Sequence, residues 1–375
     1  MGWVRTKALT MEQPSAPSLT RWLFAGVLMA IIGILLFILH ASGTVKILSV
    51  INIWWVSLMP AGCWLLIFCL RCYLRDRDLK AHQFLLKEAE YGQQRWEDWA
   101  GRWLAVLGSA VLLPDHTSAA HWGSERPQQY GLTRRINYLP AEEPVQLSAM
   151  HALLTSIEER VQCLPEELPL HVTLITDNPS PELTSSFSNL WKEHIPGRSF
   201  SLSEVEERLK QPVLTVNLLL VIQLNGGTAY SDGLAVLLLT SDDVAQKYPL
   251  PHSSRLLRPM PLDMTNFEDD ITLFLETQTV ACQTPSVIGD AKKWTERSAA
   301  LITQGGKMHT PWKAEDIALL EKWCGIPGPA APWLLTALAA DLVSLRKQPL
   351  LALFSSEQEH FISTITTGSE DEYTG

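Results

Sequence analysis

Cysteine and histidine are the residue types in this 375-residue sequence that are best suited to nucleophilic chemistry. Cys163, Cys282 and Cys324 lie far apart in the chain after residue 70. A cysteine attacks as a thiolate, and a nearby cation, histidine or helix N-terminus favours the thiolate. His309 is the best lone candidate for a base, but no serine or cysteine elbow motif accompanies it. We therefore predict no catalytic residue, with a Cys–His pair as the alternative.

Motifs for other reactions are absent from the sequence. It has no Gly-x-Ser-x-Gly elbow, no phosphate-binding P-loop, no Gly-x-Gly-x-x-Gly and no His-Glu-x-x-His. Cys69 and Cys72 have the spacing of a zinc pair but lie beside an apolar stretch without further ligands. His116 and His121 lack a third ligand in the same way. We predict neither a metal nor a cofactor.

The overall charge argues against one class of partner. The chain has 30 Lys and Arg residues against 40 Asp and Glu residues, which gives a net charge of −10. A nucleic-acid binder needs a basic face that neutralises phosphates. We therefore predict no nucleic-acid partner.

Two uncharged stretches near the N-terminus predict a transmembrane helical hairpin. Residues 22–39 and 47–70 contain no Asp, Glu, Lys or Arg, and a helix needs about 20 apolar residues to cross the hydrocarbon core. A cleaved signal peptide is the alternative for the first stretch, but signal peptides have apolar regions of only about 7 to 15 residues. The second stretch follows almost at once, which favours a hairpin.

The flanking charges predict the orientation of this hairpin. Only Lys46 lies between the two stretches, whereas basic residues flank both outer ends: Arg5, Lys7 and Arg21 before them, and Arg71, Arg75, Arg77 and Lys80 after them. Because basic flanks stay cytoplasmic, we expect a multi-pass protein of the inner (plasma) membrane with both termini in the cytoplasm. Neither stretch contains an ionisable relay residue, so the hairpin is expected to be an anchor in the lipid bilayer and not a transporter.

The chain after the hairpin alternates between helical and extended patterns. Helices are predicted at 147–161, 183–194, 201–209, 267–276, 291–301, 313–324 and 332–346. Strands are predicted at 104–113, 171–176, 213–224, 234–240, 286–288, 350–354 and 360–366. A proline-rich crossing separates the two sets at 249–261. Helices that alternate with buried strands predict a layered α/β domain.

These patterns divide the chain into five parts. We predict a cytoplasmic tail at 1–21, the transmembrane hairpin at 22–70, a juxtamembrane helix at 71–99, an α/β cytoplasmic domain at 100–367 and a disordered acidic tail at 368–375. Trp96, Trp99 and Trp103 have the spacing of one helical stripe. We expect this stripe to be buried in the core or against the membrane-proximal base, with an aromatic ligand site as the alternative.

Three segments together resemble the thiolase-like and β-ketoacyl-synthase-like proteins. Residues 231–239 (Ser-Asp-Gly-Leu-Ala-Val-Leu-Leu-Leu) resemble the glycine turn and buried strand that close the first half of that fold. Residues 287–290 (Val-Ile-Gly-Asp) are similar to a strand-plus-Asp element of the second half. Residues 325–340, followed by Pro-Leu-Leu at 349–351 and a final hairpin, are similar to its closing glycine-rich turn, core helix and two strands. The resemblance covers about residues 100–366.

The departures from this family concern its reactive groups. The family carries a nucleophilic cysteine on a strand-to-helix elbow in the first half, but no cysteine lies between Thr176 and Thr215. The family's closing turn reads Gly-His-x-Gly-Ala-Ala, whereas this chain has Ile326 where the histidine is expected. The resemblance therefore implies a degenerate scaffold that lacks the nucleophile and the base of acyl transfer.

Two functions remain as hypotheses. The first is a non-enzymatic adaptor or assembly component that is anchored in the inner membrane and binds proteins of a bacterial envelope machine, such as a type VI secretion system. The second is a membrane-tethered acyl-group transfer enzyme that uses a displaced nucleophile, Cys163, Cys282 or Cys324, with His309. A homodimer is a further expectation, because thiolase-like proteins usually pair.

Overall fold

The computed structural model describes residues 3, 5, 8–43, 52–122, 129–140, 143–191, 201–210, 213–356 and 359–369. The chain divides into two compact units. One is Arg5–Arg95, and the other combines Met1–Val4 with Trp96–Gly375.

The first unit contains two long apolar helices. Helix α1 spans Leu19–Ala41, and helix α2 starts at Ile53 within the unit and ends at Ala100. By length and composition, both are candidate membrane spans. The first predicted stretch, 22–39, lies inside α1. The start of the second prediction, 47–51, lies outside the described residues, and its remainder continues without a break into the predicted juxtamembrane helix, so that both form one helix, α2.

Glycines allow α1 and α2 to approach each other closely. A Cβ atom at Gly26 would lie 2.8 Å from Cζ2 of Trp64, and one at Gly33 would lie 2.4 Å from the carbonyl oxygen of Ser57. Gly26 and Gly33 are seven residues apart and therefore share one face of α1. Small residues at such positions are typical of helix pairs that pack within a membrane.

The second unit is a layered α/β structure. Its strands are β1 (Trp103–Leu112), β2 (Leu170–Thr176), β3 (Val216–Gln223), β4 (Gly233–Ser241), β5 (Ser254–Leu257), β6 (Met260–Pro261), β7 (Ser286–Gly289), β8 (Ile317–Leu319), β9 (Leu350–Ser355) and β10 (His360–Thr367). Its further helices are α3 (Val145–Gln162), α4 (Pro181–Leu190), α5 (Ser203–Lys210), α6 (Asp242–Lys247), α7 (Phe267–Thr277), α8 (Trp294–Lys307), α9 (Leu320–Cys324) and α10 (Ala331–Arg346).

The strands form one mixed sheet whose two halves share a topology. The order is β2-β3-β4-β1-β5-β10-β9-β7-β8, with β6 beside β10. In the first half, β2 and β3 are parallel, and β4 is antiparallel to both β3 and β1. In the second half, β7 and β9 are parallel, and β10 is antiparallel to both β9 and β5. Strands β1 to β4 thus correspond to β5, β7, β9 and β10, while β6 and β8 have no counterpart among the described residues.

Alternating side chains on the strands divide this unit into a central core and two outer cores. Leu219 and Val221 of β3 join a central core with α5 and α10, whereas Leu218 and Leu220 face an outer core with α3 and α4. In β9, the side chain of Leu351 faces the other outer core, with α7 and α8. Helices α5 and α10 precede β3 and β9, so they occupy equivalent positions in the two halves. Successive side chains of a strand point to opposite faces of the sheet, and this alternation divides them between the central and the outer cores.

Several sequence predictions need correction. The helix predicted at 313–324 is correct only at its end, where Leu320–Cys324 forms α9. Ile317–Leu319 instead forms strand β8 and pairs in parallel with β7, because pairing with a neighbouring strand overrode the local helical pattern. The crossing at 249–261 contains strands β5 and β6, which the prolines concealed. Trp103 begins β1 and does not continue the helical stripe.

The two other tryptophans of the predicted stripe do lie near the end of α2. Trp99 packs edge-on against Trp96 and against Trp3, with ring centroids 5.2 and 5.0 Å apart. The guanidinium of Arg258 lies 4.1 Å from the centroid of the Trp99 ring, and its Nε donates to the Trp99 carbonyl. Burial lowers the pKa of Arg258 to about 10. These contacts fix the end of α2 within the α/β unit.

Gly368 and Ser369, the first two residues of the predicted C-terminal tail, make hydrogen bonds to the α/β unit. The tail was predicted to be disordered from residue 368, but the Gly368 amide donates to the Ser253 carbonyl and the Ser369 hydroxyl contacts Nδ1 of His252. Residues 370–375 of the predicted tail lie outside the described residues.

Candidate functional site at the junction of the two halves

The closing turn, residues 325–331, joins α9 to α10 and lies against the first half. Gly325 adopts φ +86° and ψ −172°, a backbone conformation that is essentially restricted to glycine. The Ile326 amide donates to the Leu132 carbonyl, and the Ile326 carbonyl accepts from the Ser231 amide, both at 2.8 Å. The residue at the position of the family's histidine therefore binds the rest of the chain through both backbone groups.

Gln223 connects the end of β3 to the N-terminus of α10. Its side chain is almost fully buried. Nε2 donates to the Ser231 carbonyl at 2.8 Å, and Oε1 accepts from the Ala330 amide at 3.0 Å. The first amides of a helix attract anions and oxygen acceptors. In this chain, a glutamine oxygen already satisfies one of these groups at α10.

Removing the Gln223 amide should destabilise this junction. In Gln223→Leu, the Ala330 amide and the Ser231 carbonyl lose their buried partner, so we expect the free energy of unfolding to fall by about 2 kcal/mol. Gln223→Glu is the matched variant: it retains an acceptor for Ala330, but only the protonated carboxyl group can donate to the Ser231 carbonyl, so its loss should increase with pH. Denaturant unfolding of the purified chain in detergent measures both. Equal stability of Gln223→Leu and the wild type would contradict this assignment.

Residues 130–138, which we call the junction segment, lie along the same contact. The Asp232 amide donates to the Arg134 carbonyl at 2.9 Å, and the Ile136 amide donates to Oδ2 of Asp232 at 3.1 Å. The Arg135 guanidinium forms an ion pair with the Asp232 carboxylate. Burial raises the pKa of Asp232, and the bonds from Ile136 and Arg135 oppose this rise. The segment closes the junction with hydrogen bonds from the chain itself.

Both halves place an aspartate directly after their second strand. Asp177 follows β2, and its Oδ2 accepts the Asn225 amide at 2.8 Å and the Tyr230 hydroxyl at 3.1 Å. Asp290 follows β7, and its Oδ2 accepts the Ser355 amide at 2.5 Å. In each half the carboxylate thus binds the backbone at or just beyond the end of the neighbouring parallel strand.

The second of these aspartates is much more deeply buried. Asp290 is 0% exposed, and its Oδ1 also accepts from Nε1 of Trp294 at 2.9 Å and from the Ser355 hydroxyl. Burial raises the pKa of Asp290 to about 6, although these hydrogen bonds oppose the rise. The strand-plus-Asp element that the sequence analysis identified is therefore a buried bracing group between β7 and β9.

A further carboxyl group lies on α10 within the central layer. Asp341 accepts the Ser109 hydroxyl, and burial raises its pKa to about 6. The folded pKa lies above the unfolded value of about 3.9. The folded chain therefore binds a proton between pH 4 and 6 that the unfolded chain has released. The associated stability is present below pH 4 and is lost as the pH rises through 6.

Asp341→Asn should reduce this pH dependence. Asparagine cannot ionise but still accepts the Ser109 hydroxyl, so we expect the variant to gain up to about 3 kcal/mol over the wild type on going from pH 4 to pH 7. Unfolding curves at several pH values measure this difference. Parallel pH profiles for the two proteins would show that Asp341 is ionised without cost.

Two of the three candidate nucleophiles, Cys282 and Cys324, lie in environments that favour the neutral thiol. Burial raises the pKa of Cys282, and it raises the pKa of Cys324 to about 12. Sγ of Cys282 contacts the Leu275 carbonyl at 3.8 Å, and Cys163 is exposed at the end of α3. Among the described residues, no hydrogen bond joins His309 to any of these cysteines.

The other sequence candidates are likewise separate. His116 stacks on Tyr138, with ring centroids 4.0 Å apart, whereas Nδ1 of His121 contacts the Ser118 hydroxyl. Within the described parts of the chain, no group of three or more His, Cys, Asp or Glu residues has an arrangement that suits a metal ion. Sequence reasoning missed Gln223 and the junction segment, because glutamine in a strand and arginines in a loop carry no chemical motif.

No protein-family model matches the sequence, and no curated protein matches it. A solved complex described as a type II PKS acyl-carrier protein with its ketosynthase bound to the hexaketide (AntDE:AntF, apo) is similar at 12% identity and a TM-score of 0.51, over 71% of this chain and 99% of that chain. The oxazolomycin ketosynthase domain OzmH KS8 of Streptomyces albus JA3453 is similar at 13% identity and a TM-score of 0.45, over 71% of this chain and 95% of that chain. The 3-oxoacyl-[acyl-carrier-protein] synthase III of Aquifex aeolicus VF5 is similar at 14% identity and a TM-score of 0.41, over 70% of this chain and 99% of that chain.

The α/β unit has a thiolase-like fold. The similarity to the first of these structures and the mixed sheet with two equivalent halves agree on this class. The fold expected from residues 231–239, 287–290 and 325–340 is thereby confirmed. At such low identity the similarity concerns the fold alone.

Proposed function

We propose that this chain is a non-enzymatic adaptor or assembly component, built on a thiolase-like fold and anchored in the inner membrane. The observation that carries this proposal is that groups of the chain itself close the junction between the two halves. Backbone groups of Ile326 and the side chain of Gln223 hold the closing turn, and neither supplies a nucleophile or a base. The buried thiols of Cys282 and Cys324 have raised pKa values, which disfavours the thiolate.

The anchoring part of the proposal rests on α1 and α2. Their apolar composition and the glycine contacts at Gly26 and Gly33 suit a hairpin within a bilayer. The basic flanks favour a cytoplasmic location for both termini by the positive-inside rule. The α/β unit then lies in the cytoplasm, where protein partners reach it.

This topology predicts the labelling of single cysteines. In a chain without native cysteines, Ser42→Cys at the end of α1 should react with a membrane-impermeant maleimide in intact spheroplasts. Ser15→Cys, in the N-terminal tail, should react only after lysis and serves as the matched control. Labelling of Ser15→Cys in intact spheroplasts would contradict the proposed orientation.

The adaptor role predicts stable partners in the membrane. A bacterial envelope machine such as a type VI secretion system needs parts of this organisation, and the acidic net charge suits contacts with basic protein surfaces. Affinity purification from crosslinked membranes should recover other components in fixed ratio, or a homodimer. Recovery of the chain alone and monomeric at every detergent and salt concentration would contradict the proposal.

The alternative proposal is a membrane-tethered acyl-group transfer enzyme. The thiolase-like fold favours it, and Cys163 is exposed enough to react. An activated cysteine should be labelled by an electrophilic probe much faster than the other two. We expect instead that Cys163 reacts at the rate of an ordinary exposed thiol, while Cys282 and Cys324 react more slowly because they are less exposed.

A further inference from the structure

A cavity of about 200 Å³ lies in the first half, at the end of the sheet opposite the junction. Its floor is the inner face of the sheet, where His171 of β2 pairs with Asn217 of β3 and where Ser241 ends β4. Arg208 of α5 lines the opposite side. The cavity thus lies between the sheet and the short core helix of the first half.

Polar residues at this position break the pattern of the strands. Leu219 and Val221 share the inner face of β3 with Asn217, and both are fully buried in the central core. A polar side chain in such a row is more informative than an apolar one, because its burial has to be compensated. The equivalent core helix of the second half, α10, has 16 residues, whereas α5 has only eight. The shorter helix leaves space above the sheet.

Ser241 gives a direct indication of a ligand. Its side chain lines the cavity, the residue is only 7% exposed, and its hydroxyl has no hydrogen-bond partner among the described residues. A buried hydroxyl without a partner destabilises the fold, and a bound acceptor removes this cost.

The lining of the cavity includes one cationic side chain. Arg208 contributes a guanidinium group; burial lowers its pKa, and Glu204 one turn earlier opposes this. Asp242 and Asp243 follow Ser241, but both form ion pairs with Arg102 and so are compensated. A guanidinium together with hydroxyl and amide donors is the usual set for a tetrahedral oxyanion.

We propose that this cavity binds a small oxyanion, either free phosphate or the phosphate group of a monoester. Arg208 provides the charge, and the Ser241 hydroxyl and the Asn217 side-chain amide donate hydrogen bonds. The volume limits the ligand to the anion and a few further atoms. This assignment concerns the end of the sheet remote from the junction, so it is independent of the proposed adaptor function.

The test measures phosphate binding to the full chain in detergent. Inorganic phosphate should raise the unfolding temperature in a saturable way, relative to chloride at the same ionic strength. Arg208→Gln should weaken the apparent affinity roughly tenfold or more, and Ser241→Ala roughly fivefold. Ser241→Ala removes a single oxygen atom, so it tests the site even where Arg208→Gln unfolds the chain.

Lys210→Gln is the matched control. It removes a positive charge from the same helix, but Nζ of Lys210 is exposed and pairs with Glu206. We expect its phosphate affinity to equal that of the wild type. Glycerol phosphate in place of phosphate distinguishes the two sources, since a monoester site binds it more tightly. Absence of saturable stabilisation in the wild type, or equal weakening by Lys210→Gln and Arg208→Gln, would overturn the assignment.

Discussion

Gly325→Ala should reduce the free energy of unfolding of the α/β unit by about 4 kcal/mol. Two independent effects contribute. The backbone at residue 325 lies in a region that only glycine adopts readily. In addition, the new Cβ would lie 2.4 Å from the Leu132 carbonyl oxygen and 2.4 Å from Oγ of Ser231, so the junction segment would have to move. Denaturant unfolding in detergent, followed by tryptophan fluorescence, measures the loss.

Gly306→Ala is the control for this substitution. Gly306 lies in α8, and a Cβ atom there has no neighbour within 4 Å. Alanine is favoured over glycine in a helix, so we expect a gain of up to about 1 kcal/mol. A similar small change in both variants would show that the closing turn does not need the conformation found at residue 325.

Asp290→Ala should cost about 3 kcal/mol or more, and its counterpart Asp177→Ala less than about 1 kcal/mol. Without Asp290, the Trp294 indole, the Ser355 amide and the Ser355 hydroxyl lose an acceptor in a site that water does not reach. Asp177 is only half-buried, so water replaces its bonds to Asn225 and Tyr230. The two substitutions are chemically identical and occupy corresponding positions of the duplicated fold.

The comparison of these two variants is measured by equilibrium unfolding at pH 7. Equal losses would mean that both aspartates brace their half to the same extent, which would contradict the difference in burial. A smaller loss for Asp290→Ala than for Asp177→Ala would mean that the cost of burying the Asp290 carboxylate exceeds the value of its three hydrogen bonds.

The fold was predictable where burial imposes a simple pattern of apolar residues on the sequence. β3 and β4 are continuous apolar runs, as expected of strands that are covered on both faces, and both were predicted close to their observed bounds. β5, β6 and β8 were missed, because each is very short and forms only through pairing with distant strands. Local sequence carries no information on such pairing.

The candidate site was predictable only from the reactive cysteine and histidine that the sequence lacks at the expected positions. The absence of cysteine between Thr176 and Thr215 and the presence of Ile326 were visible in the sequence. The bonds that close the junction join Gln223 to Ala330 and Asp232 to the junction segment across about a hundred residues of chain. Their partners follow from the topology of the sheet, which the sequence pattern alone did not define.

We propose that no cysteine of this chain acts as an acyl-transfer nucleophile. Incubation of the full chain with a short acyl thioester, followed by intact-protein mass spectrometry, tests this claim most directly. We predict an unchanged mass at neutral pH. A stoichiometric acyl adduct on a single cysteine, abolished when that cysteine is replaced by alanine, would contradict it.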